Sequence, residues 1–101
     1  MTDIVWGVAE WVHDGASFML RITHTRRGNR LSYGKVEKVH VTDVSAPGLQ
    51  EPGGKAARRR MIEAVYLQKV RCEVSARSTD GQLQARVILE HPEQESVADA
   101  A

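Results

Sequence analysis

The chain is poor in the residues from which most covalent and metal centres are built. Cys72 is its single cysteine, which excludes an internal disulfide and a thiolate cluster for zinc. Because it alternates with Val70 and Val74, Cys72 is expected to be a small buried hydrophobe rather than a nucleophile. His13, His24, His40 and His91 are scattered and fall at no metal-ligand spacing, so no transition-metal site and no cofactor is predicted. Aromatic residues make up only 5% of the chain, namely Trp6, Trp11, Phe18, Tyr33 and Tyr66. No apolar run approaches the roughly 18 residues of a membrane span. The first residues open directly into a strand-like run with no basic and apolar leader, so no membrane partner is expected and the expected compartment is cytoplasmic.

What is present suits one small domain. The 101 residues, 42% hydrophobic and 27% charged, can bury one core with little stability to spare. The net charge of +1 hides an asymmetry. Glu90, Glu93, Glu95 and Asp99 sit in the last twelve residues without a base, leaving 14 basic and 9 acidic side chains in the first 89. Residues 91–101, with one Val and no aromatic, are expected to be a disordered acidic tail to a domain spanning residues 1–90. A basic body suggests a polyanion as partner.

Periodicity sets the element order. Ile4 to His13 and Ser17 to Thr23 flank Asp14-Gly15, a dipeptide suited to a tight hairpin turn, and Phe18, Leu20 and Ile22 alternate with Met19, Arg21 and Thr23. After a polar loop, Lys35 to Val44 alternates again, with Val39 and Val41 on one side and His40 on the other. Ser45 to Gly54 holds two Pro and three Gly and must be a loop. From Lys55 to about Leu67, the spacing of Ala57, Met61, Ala64 and Val65 predicts one helical face. Val70, Cys72, Val74 and Ala76 predict a fourth inward row, with Arg71, Glu73, Ser75 and Arg77 outside. Asp80-Gly81 turns the chain, and Leu83, Ala85, Val87 and Leu89 give the last. Five strands with a helix between the third and fourth follow the order of the OB-fold, a small barrel often used for oligonucleotides.

Three stretches carry a more specific message: His13-Asp14-Gly15-Ala16-Ser17, the run from Val39 to Gly48, and Pro52-Gly53-Gly54-Lys55-Ala56-Ala57. In order and spacing, from about Val8 to Leu89, the chain resembles the staphylococcal nuclease family. That resemblance implies a mainly β, five-stranded OB-fold barrel with one helix between strands 3 and 4. It also implies a lost reaction. The family's calcium carboxylates lie in a turn read Asp-Gly-Asp-Thr and after the third strand in Ile-Asp-Ala-Pro-Glu, whereas this chain has Ala16 and Ser45 at the metal positions and Gly48 at the general base. The family's two arginines are matched by His40 and Gln82, which offer no guanidinium fork. Without metal, base and arginines to neutralise the charge of a pentavalent phosphorane, the expected protein is no nuclease of this type. The family's enzymes also continue past the fifth strand into further helices, where this chain has its acidic segment.

The remaining charge concentrates at the start of the helix, in Lys55, Arg58, Arg59 and Arg60. Cations at a helix N-terminus oppose the macrodipole, so local stability does not explain them, whereas a phosphate would. Arg26, Arg27 and Arg30 in the second loop are expected to extend the field; a solvated basic face near Glu51 and Glu63 is the plain alternative. Arg86 is expected on a solvated strand face. At least one tryptophan should lie in the core, Phe18 and Tyr66 are expected to pack, and the other Trp or Tyr33 could serve as platforms for bases. The leading expectation is a catalytically inactive binding module for single-stranded DNA or RNA, or another polyanion. A protein-interaction scaffold is the alternative, and a weak calcium-dependent nuclease rebuilt on Asp43, Glu51 and His40 is the third. A monomer or weak dimer is expected, pairing through a barrel edge near Lys35 to Val44.

Overall fold

The computed structural model describes residues 2–90, so the expected acidic tail lies outside the described residues. The chain forms β1 (Asp3–Asp14), β2 (Ser17–Thr25), β3 (Val36–Val41), α1 (Gly54–Val65), β4 (Lys69–Arg77) and β5 (Leu83–Leu89). The strands close in the order β1-β2-β3-β5-β4, with β4 paired back onto β1. Every neighbouring pair is antiparallel except β3 with β5, which is parallel through Val39–Leu83, His40–Gln84 and Val41–Ala85. This is the five-stranded OB-type barrel, with its helix between the third and fourth strands. Among the described residues no helix is long and apolar enough to cross a membrane.

Alternation does most of the work. Phe18 and Leu20, Val39 and Val41, Val70, Cys72 and Val74, and Leu83, Ala85 and Val87 all point inward and are buried. Met61 and Val65 of α1 join them in one core. Burial pushes the Cys72 thiol up to about 12, so it is a packing group, as its alternation predicts.

Among the described residues four register shifts interrupt the pairing; one leaves Thr23 of β2 unpaired between Trp6 and Gly7, and the other three alter the simple pattern of β1 and β4. In β1 the register shifts by one between Ala9 and Trp11 and again between Val12 and Asp14, and in β4 it shifts between Val74 and Ala76. An extra residue exchanges inward and outward positions for everything beyond it. Odd residues of β1 face inward up to Ala9, but beyond the first bulge Val12 is buried and Trp11 is 57% exposed. The expectation of a core tryptophan is therefore corrected: Trp6 is half-buried, and its Nε1 donates to Glu90 at 2.8 Å. Ala76 is likewise exposed rather than inward, and Arg77 is turned toward the end of the barrel.

There Arg77 meets Glu37, which sits on the inward row of β3 with Val39 and Val41. The guanidinium donates to Glu37 Oε1 at 2.9 Å and Oε2 at 3.1 Å, and to the carbonyls of Ser32 at 2.8 Å and Gly81 at 2.9 Å. It also lies over the Tyr33 ring, 6.0 Å from the centroid. Buried Asp3 accepts the Arg30 and Leu31 amides at 2.9 Å each and the Tyr33 hydroxyl at 2.8 Å. The hydrogen bonds from Arg30 and Leu31 hold the Asp3 carboxyl below its ordinary value, and those from Arg77 do the same for Glu37. Burial, with help from Asp3, pushes Tyr33 up.

Element ends also differ from expectation. β3 stops at Val41, and both of its sides are engaged, by β2 and by β5, so Val39–Val41 offers no edge to a second chain. The helix stops at Val65 because the chain must return to β1: the Leu67 amide donates to Ala9 O at 2.8 Å, with Leu67 at φ 59. Tyr66 is 44% exposed rather than packed.

Candidate functional site

The helix start is set by close contact of two backbones. Gly53, at φ 83, caps α1 without a side-chain hydrogen bond, and the first turn contains no acid. Gly54 is buried against the loop; a Cβ there would lie 1.9 Å from Gly48 O and 2.9 Å from Leu49 Cα. That contact draws the Gly48–Leu49 segment alongside α1. On its other side α1 lies along β1, where Arg58 Nε donates to Val12 O at 3.0 Å.

At about 100° per residue, Lys55, Arg58, Arg59 and Ile62 fall on one side of α1 and Arg60 on another. The surface follows this division. Lys55, Arg58, Arg59 and Ile62 line a cleft of about 770 Å³ together with Trp11 and His13 of β1 and Leu49 and Gln50 of the loop. Arg60 faces a smaller depression of about 210 Å³ beside Gly15, Asp43, Ser45 and Ala46. The four helix cations thus act as three and one.

Trp11 forms the opposite wall from the cations. The Arg58 guanidinium carbon lies 5.2 Å from the Trp11 ring centroid, a cation–π contact that fixes both side chains. Among the described residues, the arginines in ion pairs, Arg21, Arg71, Arg77 and Arg86, all belong to strands, and no acid lies within 4 Å of Lys55, Arg58, Arg59 or Arg60. Glu51, the nearest acid in sequence, is committed to the loop, where its Oε1 accepts the Gly48 amide at 2.9 Å. The cleft therefore carries three positive charges that the described fold does not neutralise.

Arg26 and Arg27 do not extend this field. Their loop joins β2 to β3 beside the start of β1, where the Arg26 amide donates to Ile4 O at 3.0 Å and Arg26 Nη2 to Thr2 O. The helix cations lie at the other end of the β1–β2 hairpin, near Gly15, roughly 30 Å away at the rise of an extended strand. Arg30 shares that far loop.

The positions corresponding to the nuclease family's centre fall into separate places. Asp14 is partly buried, which raises its carboxyl, but the Ala16 amide at 2.9 Å and Ser17 hydroxyl at 2.8 Å outweigh this and hold it below its ordinary value. Asp14 thus serves the hairpin turn, and Ala16 beyond it is buried. His40 and Gln82 share a shallow depression of about 390 Å³ with Ser78, Asp80 and Gln84, where Gln82 Nε2 donates to Asp80 Oδ2 at 2.6 Å. Gly48 is held by Glu51, and Asp43 lies 3.8 Å from Arg86 Nε. Arg86 also pairs with Glu73 at 3.2 Å on an exposed strand face. The rebuilt-nuclease alternative needs Asp43, Glu51 and His40 together, yet they line three different depressions. Among the described residues no group of three or more His, Cys, Asp and Glu is placed to hold a metal ion.

Fold and cleft together define a small OB-type barrel with a basic, aromatic-walled groove between its first strand and its helix. No protein-family model matches the chain, and no curated protein matches it either. The likeness to the staphylococcal nuclease family accordingly rests on the turn and loop residues quoted above.

Proposed function

We propose that this domain is a non-catalytic binding module for a phosphodiester polyanion, held in the cleft between β1 and α1. It is a staphylococcal-nuclease-like barrel that keeps the turns of that family without its reacting groups. The observation that carries the reading is the convergence of Lys55, Arg58 and Arg59 on one groove with no acid opposite. Charge of one sign in a concave site raises the local concentration of its counterion and steers association. Arg58, anchored through Nε, keeps its terminal nitrogens for phosphate oxygens, and Arg59 and Lys55 lie one turn apart along the same edge.

Three phosphate contacts on a single strand give a log–log salt slope of roughly −2, and hence a loss of about twentyfold in affinity between 50 and 200 mM salt. Fluorescence anisotropy with labelled oligonucleotides and polyphosphate measures this directly. Arg59→Ala should weaken every polyanion alike and flatten the slope by about 0.7. Absence of binding at 50 mM salt, or a slope unchanged in Arg59→Ala, would refute the assignment.

A second reading, a protein-interaction scaffold, draws on Tyr66 and Leu67, which are 44% and 60% exposed where the helix returns to β1. Its signature is binding that persists at high salt and is lost on Leu67→Asp.

A further inference from the structure

We infer that the cleft selects unpaired nucleobases, with Trp11 as the stacking platform, so that its polyanion is a single-stranded nucleic acid rather than a phosphate chain in general. The inference rests on the polyanion reading above and adds a second component to recognition. Cations alone would accept any flexible polyanion. An exposed indole beside them is an independent feature, and the fold goes to some length to present it.

Two single-residue insertions in β1 bracket Trp11, at Glu10 and His13. Without the first, Trp11 would continue the inward row of Val5, Gly7 and Ala9. With it, the ring stands at the mouth of the groove, 57% exposed. Arg58 lies over one face of the ring, 5.2 Å from its centroid, and its own Nε is tied to Val12 O. With the guanidinium in that position, more than half of the indole is still exposed beside the groove. A planar base can stack there while its flanking phosphates reach Lys55 and Arg59, which are about 6 Å apart along the helix axis. The cleft, at about 770 Å³, is within the range of sites that enclose small ligands. Duplex bases are already stacked on each other and cannot use such a platform. A base in a single strand has a free π-face, and every base has one, so the site should be tolerant of sequence.

Four probes of 12 nucleotides per strand, used with the intact protein, separate the two components; the three single strands are of equal charge and the duplex carries twice as much. These are oligothymidylate, oligouridylate, an abasic deoxyribose phosphate strand, and a duplex containing the thymidylate strand. Affinities come from anisotropy competition, and base contact from quenching of tryptophan fluorescence. The base-bearing single strands should bind roughly five- to 150-fold more tightly than the abasic strand, the effect of one stacked base. They should quench fluorescence, whereas the abasic strand should not. The ratio of thymidylate to uridylate affinity reports whether DNA or RNA is preferred, and either preference fits the site. Trp11→Ala should bring both base-bearing strands down to the level at which the same variant binds the abasic strand, while Trp11→Phe should retain most of the difference. Lys55→Ala should weaken all probes by the same factor. Equal binding of the abasic and thymidylate strands, or an undiminished thymidylate affinity in Trp11→Ala with the native circular-dichroism spectrum, would overturn base recognition and leave polyanion binding standing. No binding of any probe at 50 mM salt would overturn both.

Discussion

Replacing Gly54 by alanine sets two effects against each other, and the structure decides between them. Alanine is favoured over glycine in a helix by about 1 kcal/mol, so propensity alone predicts a more stable protein. Gly54, however, touches backbone. An added Cβ would lie 1.9 Å from Gly48 O, 2.7 Å from Gly48 C and 2.9 Å from Leu49 Cα, where real Cβ contacts are not found under 3.0 Å. No side chain can swing aside, so the loop must retreat by about 1 Å. That retreat strains the Gly54 amide to Glu51 O bond at 3.0 Å, the Glu51 amide to Gly48 O bond at 3.0 Å, and the Gly48 amide to Glu51 carboxylate bond at 2.9 Å. Overpacking costs about 1–3 kcal/mol, and partial loss of three hydrogen bonds adds roughly 1–2 kcal/mol. After the propensity gain is subtracted, Gly54→Ala should destabilise by about 1–4 kcal/mol. Urea denaturation followed by circular dichroism should show a lower midpoint at unchanged slope, and the melting temperature should fall by roughly 5–30 °C. Because the displaced Leu49 lines the cleft, oligonucleotide affinity should fall as well. A variant as stable as the parent, or more stable, would refute the close contact and the account of how the groove is shaped.

Leu67 poses the opposite case: it holds φ 59 while 60% exposed, so Leu67→Gly should relieve about 1–2 kcal/mol of backbone strain against roughly 0.5–1 kcal/mol of entropy and leave the melting temperature unchanged or raised. Arg77→Ala strands the Glu37 carboxylate, whose side chain is 11% exposed, and should cost about 2–3 kcal/mol in urea denaturation; Arg77→Lys should not restore it, since an ammonium lacks the fork that spans both oxygens and two carbonyls. Asp3 and Glu37 have folded values lowered by their hydrogen bonds, so the native state binds fewer protons than the unfolded chain; their stabilisation is complete above the unfolded carboxylate range and is lost as pH falls below about 4, and Glu37→Gln should make the acid limb of a stability–pH curve shallower while lowering stability at pH 7. Cys72, buried and raised to about 12, should resist alkylation at pH 8 in the native protein and react only at the rate of opening, so labelling faster than unfolding would contradict its place in the core.

The strands were readable because burial imposes a period of two, and Phe18–Leu20, Val39–Val41 and Val70–Cys72–Val74 keep it without interruption. What alternation cannot show is a change of phase. The insertions at Glu10, His13 and Ser75 leave composition and local polarity untouched, yet they send Trp11 outward, Ala76 outward and Arg77 toward the barrel end. Glu37 carried a signal, being a lone acid on the row of Val39 and Val41, and such a residue needs a cation. The misplaced loop cations had one too. A hairpin whose first strand runs about ten residues puts its two ends about 30 Å apart, so Arg26 and Arg27 could not share the surface of a helix that starts beside the Asp14-Gly15 turn. The division of Lys55, Arg58 and Arg59 from Arg60 follows from helical geometry alone and was equally available.

Trp11 bears on why the groove beside α1, and not the depression near Ser45, is the place to look for binding. Leaving more than half of an indole in water forgoes roughly 2–4 kcal/mol of apolar burial, a large sum for a domain of this size. The barrel does not need the ring, since Val12 takes the inward position next to it and Phe18, Leu20 and Met61 fill the space beneath. Truncating Trp11 should therefore cost the fold the buried part of the ring, about 2 kcal/mol, and its contact with Arg58, about 0.5–1 kcal/mol, while removing the platform from the groove. The Arg60 depression has no comparable feature: it is smaller, holds one helix cation, and includes Asp43, whose carboxylate repels the phosphate that Arg60 would attract. A residue turned outward by a bulge and set beside three cations without acid partners among the described residues is what the proposed ligand, with a charged backbone and flat apolar rings, would require.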